Sequence, residues 1–196
     1  MVTDPKFSTR QRIVYSAVQL LREQGVSGTG VRTIIERAEA PRGSFQHYFP
    51  GGKDQLVGEA VTWAGDFAAE RVEGYLRTAR RPTPAGLFGH MADQWKSEYI
   101  ARGFARGCPL VATAADIAAT DSAVNNALRT AFEGWERAVA GALSQMGIPG
   151  ARARRLAIVM IGSLEGAIAL ARVEGSVRPL TTVVAELGPL LNEAVA

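Results

Sequence analysis

The sequence predicts an all-α chain, with an N-terminal three-helix unit containing a helix-turn-helix, then a larger helical domain, about nine helices in all. Three observations carry this. Apolar residues recur at three- and four-residue spacing along most of the chain, as in Ile13, Ala17, Leu20 and Leu21. Each such stretch is bounded by Gly, Pro or a capping Ser, Thr or Asp. No alternating run of β-branched residues argues for a strand.

The elements follow in order. Ser8 or Thr9 can cap a first helix that ends at about Gln24, before Gly25. Ser27-Gly28-Thr29-Gly30 is a turn, with Thr29 as a cap for the second helix. That helix puts Val31, Ile34, Ile35 and Ala38 on one face and leaves Arg32, Thr33, Glu36 and Arg37 outside. After a break at Glu39-Ala40, Pro41 suits the first position of a third helix of roughly two turns, because its missing N–H is not needed there. Phe45 and Phe49 share its inner face, which leaves Arg42, Gly43, Ser44, Gln46 and His47 outward. Asp54 caps or begins a fourth helix that runs to about Arg80.

Arg80-Arg81-Pro82-Thr83-Pro84 is a connector. A fifth helix carries Leu87, Met91, Trp95 and Tyr99 to about Arg102, and a short sixth runs from Leu110 to Ala118. Asp121 or Ser122 caps a seventh, with Val124, Leu128, Phe132, Trp135, Val139 and Leu143, closed by Gly147 and Pro149. The eighth spans about Ala151 to Glu174, and the ninth follows Arg178-Pro179 almost to the end. Domains are expected over residues 1–53 and 54–196.

Composition narrows the function. At 196 residues, 47% hydrophobic and 21% charged, the chain is an ordinary folded protein. No apolar run is expected to span a bilayer, the best being Leu156 to Leu164, so no membrane partner is expected. The first ten residues lack a signal-peptide core, and one cysteine forms no internal disulfide, which points to the cytoplasm. Neither a cofactor nor a metal site is expected, and Gly51-Gly52-Lys53 is not a P-loop. Residues 1–53 hold eight Lys/Arg against four Asp/Glu, whereas the remainder hold fourteen against fifteen. The basic excess therefore accompanies the helix-turn-helix, as a phosphate-binding surface requires.

The string G-S-F-Q-H-Y-F-P-G-G-K at residues 43–53 resembles the TetR family of bacterial transcriptional repressors. Within it, the doubled glycine resembles the branch of drug- and flavonoid-responsive regulators related to the lincomycin-resistance repressor. Arg106-Gly107-Cys108-Pro109-Leu110 resembles a feature of that branch's second domain. Two residues depart from the pattern: Glu39 stands where the family usually has Gly, and Gln46 where it usually has Tyr. If the turn needs a positive φ, Glu39 is strained.

On this reading the third helix enters the major groove of a DNA operator. Arg42 can pair with guanine and Gln46 with adenine, while Ser44, His47 and Tyr48 lie against phosphate, Tyr48 alternatively packing on the first helix, and Gly43 is a further DNA-binding candidate. Thr29, Arg32 and Thr33 are backbone clamps or plain surface and capping residues, and Lys53 meets a phosphate. A homodimer spaces two such helices one DNA turn apart, and the resemblance implies a four-helix bundle from helices eight and nine. Its candidate residues are Ile158, Ile161, Leu164, Ile168, Val183, Leu187 and Leu190. A small hydrophobic effector is expected among Trp63, Phe67, Met91, Trp95, Tyr99, Phe132, Trp135 and Met160, oriented by Tyr99, Gln94 or Asn125. Two rival readings are a ligand-binding protein without operator recognition and a redox sensor using Cys108.

Overall fold

A computed structural model of the chain describes residues 7–117 and 122–195, and these contain nine α-helices and no strand. The all-helical expectation holds. Internal contacts divide the chain into two compact units, Met1–Gly65 with Cys108–Phe132, and Asp66–Gly107 with Glu133–Ala196.

The first unit begins with α1 (Thr9–Gln24), set by a reciprocal cap: the Ser8 hydroxyl accepts from the Gln11 N–H, and the Ser8 N–H donates to Gln11 Oε1. Gly25, at φ +69°, ends it. Its stripe of Ile13, Ala17, Leu20 and Leu21 is buried. Next, α2 (Val31–Arg37) starts from Gly30 with no side-chain cap. Thr29 is not the cap: it is buried, and its hydroxyl donates to the Gly25 carbonyl at 2.5 Å, which closes the preceding turn instead.

The end of α2 is a Schellman turn. The Glu39 N–H donates to the Glu36 carbonyl and the Ala40 N–H to the Ile35 carbonyl, both at 3.1 Å. Such a turn needs a left-handed residue between helix end and exit, and Glu39 takes it with φ +49°. It is the one non-glycine residue with positive φ among those described. The strain anticipated from the sequence is present.

The third helix is shorter than expected. It spans Ser44–Tyr48 (α3), and Pro41 lies ahead of it in a turn closed by the Ser44 N–H on the Pro41 carbonyl. No side chain caps α3, because the Ser44 hydroxyl donates to that same carbonyl, and Gly43 is a poor helix former.

The long α4 (Gly52–Thr78) starts two residues before Asp54, which then sits in its first turn where a carboxylate suits the helix dipole. In the first unit it packs on α7 (Ala123–Gln145) at two glycines. A Cβ at Gly58 would touch Ala127 at 3.6 Å, and one at Gly65 would lie 2.7 Å from Ala131 Cβ and 2.9 Å from its Cα. Only Gly allows that approach. The short α6 (Pro109–Asp116) packs on α1. It stops before Ala118, which with Asp121 lies outside the described residues. Ser122 caps α7, its hydroxyl accepting from the Asn125 N–H at 3.1 Å.

The second unit contains the rest of α4 and α7 with α5 (Pro84–Arg102), α8 (Gly150–Glu174) and α9 (Arg178–Asn192). Thr83 caps α5 and Gly103 ends it. Its core holds Leu87, Phe88, Met91, Met160, Leu164, Ile168 and Leu180. The eighth helix corrects the bilayer expectation: an 18-residue window of this 25-residue helix has mean hydropathy 1.8, which by length and composition alone is enough to cross a membrane. Within such a window, alanines carry the apolar character past Glu165. Part of that surface is committed, since Ala153, Ala157, Met160, Ile161, Leu164 and Ile168 are buried within the unit.

Replacing Gly65 by Ala should destabilise the protein by about 1–3 kcal/mol in urea unfolding, because the clash with the Ala131 backbone outweighs the better helix propensity. Glu39→Gly should act oppositely and raise stability by about 0.5–1 kcal/mol, as the left-handed strain is relieved against a more flexible unfolded chain.

Candidate nucleic-acid interface

Two aromatic rings position α3. Phe45 and Phe49 stack with centroids 5.7 Å apart, and Phe49 is fully buried, with the Arg10 guanidinium 5.3 Å above its ring. The opposite side is open: Arg42, Gly43, Gln46 and His47 are exposed, while Ser44 and Tyr48 are half-buried. Tyr48 meets the His47 ring edge-on at 4.9 Å. Arg42 makes no ion pair or hydrogen bond among the described residues, and Gln46 has only a marginal 3.5 Å contact to the Pro50 carbonyl. A cleft of about 430 Å³ between α2 and α3 is lined by Arg32, Glu36, Arg42 and Gln46 over an apolar floor of Val31, Ile35 and Phe45.

The flanking candidates differ. Arg32 and Thr33 are exposed, and Arg32 pairs with Glu36 at 2.8 Å, a hydrogen bond that raises its pKa. Thr29 is removed from the surface by its burial and cannot serve as a clamp through its side chain. Lys53 donates to the Val26 carbonyl at 2.7 Å, which fixes its ammonium beside the first turn of α4 with two N–H donors left over.

The basic excess of residues 1–53 is only partly a surface for phosphate. Arg37 makes a two-bond pair with Glu23 at 2.8 and 3.0 Å, which ties α2 to α1. Arg12 donates to the Ala38 and Phe7 carbonyls, and Arg10 pairs with Glu59 at 2.7 Å. Sequence reasoning missed these roles and also Asp116, whose carboxylate accepts from the Ser27 N–H at 2.8 Å across 89 residues. No local pattern signals such a tie.

The effector candidates do not lie in one unit. Trp63, edge-on to Tyr15 at 5.8 Å, and Phe132 belong to the first. Met91, Trp95, Tyr99, Trp135 and Met160 are buried in the second, to which Phe67 also belongs with its ring partly open. Tyr99 spends its hydroxyl internally, donating to the Arg106 carbonyl at 3.0 Å. Gln94 and Asn125 are half-buried. Trp135 buries its indole N–H without an acceptor in the structure, whereas Cys108 is buried at the start of α6. His90 lies in the second unit beside Arg71, and burial, reinforced by that cation, lowers its pKa. No cluster of three or more metal-ligating side chains occurs among the described residues.

The dimer candidates divide sharply. Ile161, Leu164 and Ile168 are buried within their own unit, so they cannot be a free interface; their i, i+3/i+4 spacing faces inward. Val183 and Leu187 are half-buried, and Ile158 and Leu190 are exposed. The open apolar face of α8 is instead Ile158, Val159, Leu170 and Val173, with Gly162 and Gly166 between them. Nothing lies within 4 Å of where a Cβ on either glycine would be.

Comparison with known proteins agrees with this geometry. Residues 13–60 match the family described as bacterial regulatory proteins, tetR family. Residues 84–186 match the C-terminal domain of LmrA/YxaF-like transcriptional regulators. An uncharacterised HTH-type transcriptional regulator of Mycobacterium tuberculosis is 34% identical over 190 residues, covering 93% of each chain. The HTH-type regulator LmrA of Bacillus subtilis is 26% identical, covering 94% of this chain and 97% of its own. The HTH-type transcriptional repressor DhaR of a Mycobacterium species is also 26% identical, covering 87% and 86%. A TetR transcriptional regulator from Legionella pneumophila superposes with a TM-score of 0.82 at 20% identity, covering 96% of this chain and 100% of its own. With an exposed reading side on α3, a family match over its first helices and a second over more than half its length, the chain belongs to the tetR family of bacterial regulatory proteins.

Proposed function

We propose that the protein is a transcriptional repressor that binds a two-fold operator as a homodimer and leaves it when a small hydrophobic effector binds. The observation that carries this is the outward side of α3, where Arg42, Gln46 and His47 are exposed and Arg42 is unpaired. An unpaired arginine in the turn that leads into a helix anchored from behind has the reach and the five donors for a guanine edge or a phosphate. Residues 1–53 are the DNA-contacting part on this reading, and 54–196 the effector-binding and dimerisation part.

The homodimer is supported by the uncovered face of α8. Ile158, Val159, Leu170 and Val173 make an apolar stripe, and Gly162 and Gly166 let a second helix approach closely. The likeness to a relative named as a repressor supports the direction of control. The resemblance to drug- and flavonoid-responsive regulators supports an aromatic or apolar effector, and the buried, unsatisfied Trp135 N–H offers one donor for its orientation. Effector binding would act by population shift, favouring a state in which the reading helices no longer match the groove spacing.

Selection of bound DNA from a random pool should return a palindrome. In that assay Arg42→Ala should weaken binding by about 1–3 kcal/mol and relax preference at one position per half-site. Affinity loss with unchanged preference would reduce Arg42 to a phosphate contact. Leu170→Glu should shift the sedimenting species from dimer to monomer with helix content retained, and should lower operator affinity at least tenfold. A dimer of unchanged stability would remove α8 from the interface.

A further inference from the structure

We propose that Arg71 anchors the carboxylate of an aromatic or otherwise apolar acid, whose hydrophobic part lies against Phe67. The inference deepens the effector reading above and rests on it for the biological role, though not for binding itself.

Arg71 on α4 is half-buried, and no carboxylate pairs with it among the described residues. Glu73 pairs with Arg77 at 3.5 Å and Asp93 with Lys96 at 2.6 Å, while Asp66 and Glu70 are exposed and make no ion pair with Arg71. What surrounds its guanidinium is apolar or neutral. It lies 6.0 Å from the Phe67 centroid, and one terminal nitrogen meets His90 Nε2 at 3.4 Å. Its Nε is buried with no hydrogen-bond partner.

A half-buried cation with one silent N–H is expensive unless an acceptor arrives. Nε and an adjacent terminal nitrogen form the fork that receives a carboxylate through two parallel bonds. His90 is held beside the site by the Tyr75 ring, at 5.5 Å between centroids. Burial, and after it the Arg71 cation, disfavour a protonated imidazole against the opposing pull of Asp93, so the neutral ring puts no second cation beside the guanidinium. Phe67, 39% exposed, leaves ring surface for the apolar part of such a ligand.

The test uses the full-length protein and the matched pair 2-naphthoate and 2-naphthamide, alike in shape and different in charge, with binding read by calorimetry. Wild type should bind the acid roughly tenfold or more tightly than the amide. Arg71→Gln should erase that preference while leaving amide binding unchanged, and Arg77→Gln should leave both unchanged. Equal affinity for acid and amide in wild type overturns the proposal whether or not Arg71→Gln folds. Failure of 2-naphthoate, cinnamate and decanoate to bind at about 1 mM, a threshold near 4 kcal/mol, overturns it also. Operator release is measured separately. Acid binding that requires Arg71 but leaves DNA bound supports this site and sinks the effector reading. Release by neutral compounds alone, with no acid bound, sinks this site and keeps that reading.

Discussion

The burial of Phe49 is the constraint on which the reading surface depends. A helix of five residues is far below the length at which hydrogen bonds sustain themselves, so α3 has no independent stability. It persists because Phe49 is fully buried just beyond its end, with Phe45 stacked on it. That anchor fixes which side of α3 faces out, and hence that Arg42, Gln46 and His47 are open. Burying one phenyl ring contributes on the order of 2–3 kcal/mol, which suffices to hold a turn and a half of helix in place. The same geometry explains the short start: an uncapped segment with Gly43 gains nothing from winding further back to Pro41.

Charge serves two ends in the same region. Read as a total, the basic excess of residues 1–53 suggests a phosphate surface. Read residue by residue, Arg37, Arg12 and Arg10 fasten α1 to α2 and to α4, and among the described basic residues of this region only Arg42 makes no ion pair or hydrogen bond, with Arg32 exposed but paired.

Helix order, most helix ends and the strained turn were legible in the sequence, because caps and breakers are local. Ser8 and Gly25 bound α1 within a few residues of their own position, and Thr83 caps α5 from inside the stretch that reads as a connector. Glu39 was legible for the same reason, through the departure from Gly that the family resemblance exposed. What was not legible depends on rotation about a helix axis and on distant partners. Ile161, Leu164 and Ile168 form as regular an apolar stripe as Ile158, Val159 and Leu170, and only packing against α9 and α5 decides which stripe turns inward. Thr29 shows the same limit: a threonine next to a helix start reads as a cap or a clamp, yet its hydroxyl closes the turn behind it. The length of the apolar stretch in α8 was not legible as an uninterrupted run, because small residues and Glu165 stand among its apolar ones.

The tie between Asp116 and the Ser27 amide has a consequence for how the protein is made. Helices α1 to α3 leave the ribosome first, and the Thr29 and Lys53 bonds to the turn between α1 and α2 can form early, yet the Asp116 tie waits until α6 has been synthesised and has packed on α1. Long-range closure of this kind delays completion of a fold. A chain carrying only the first three helices therefore lacks one of the ties that hold the turn between α1 and α2.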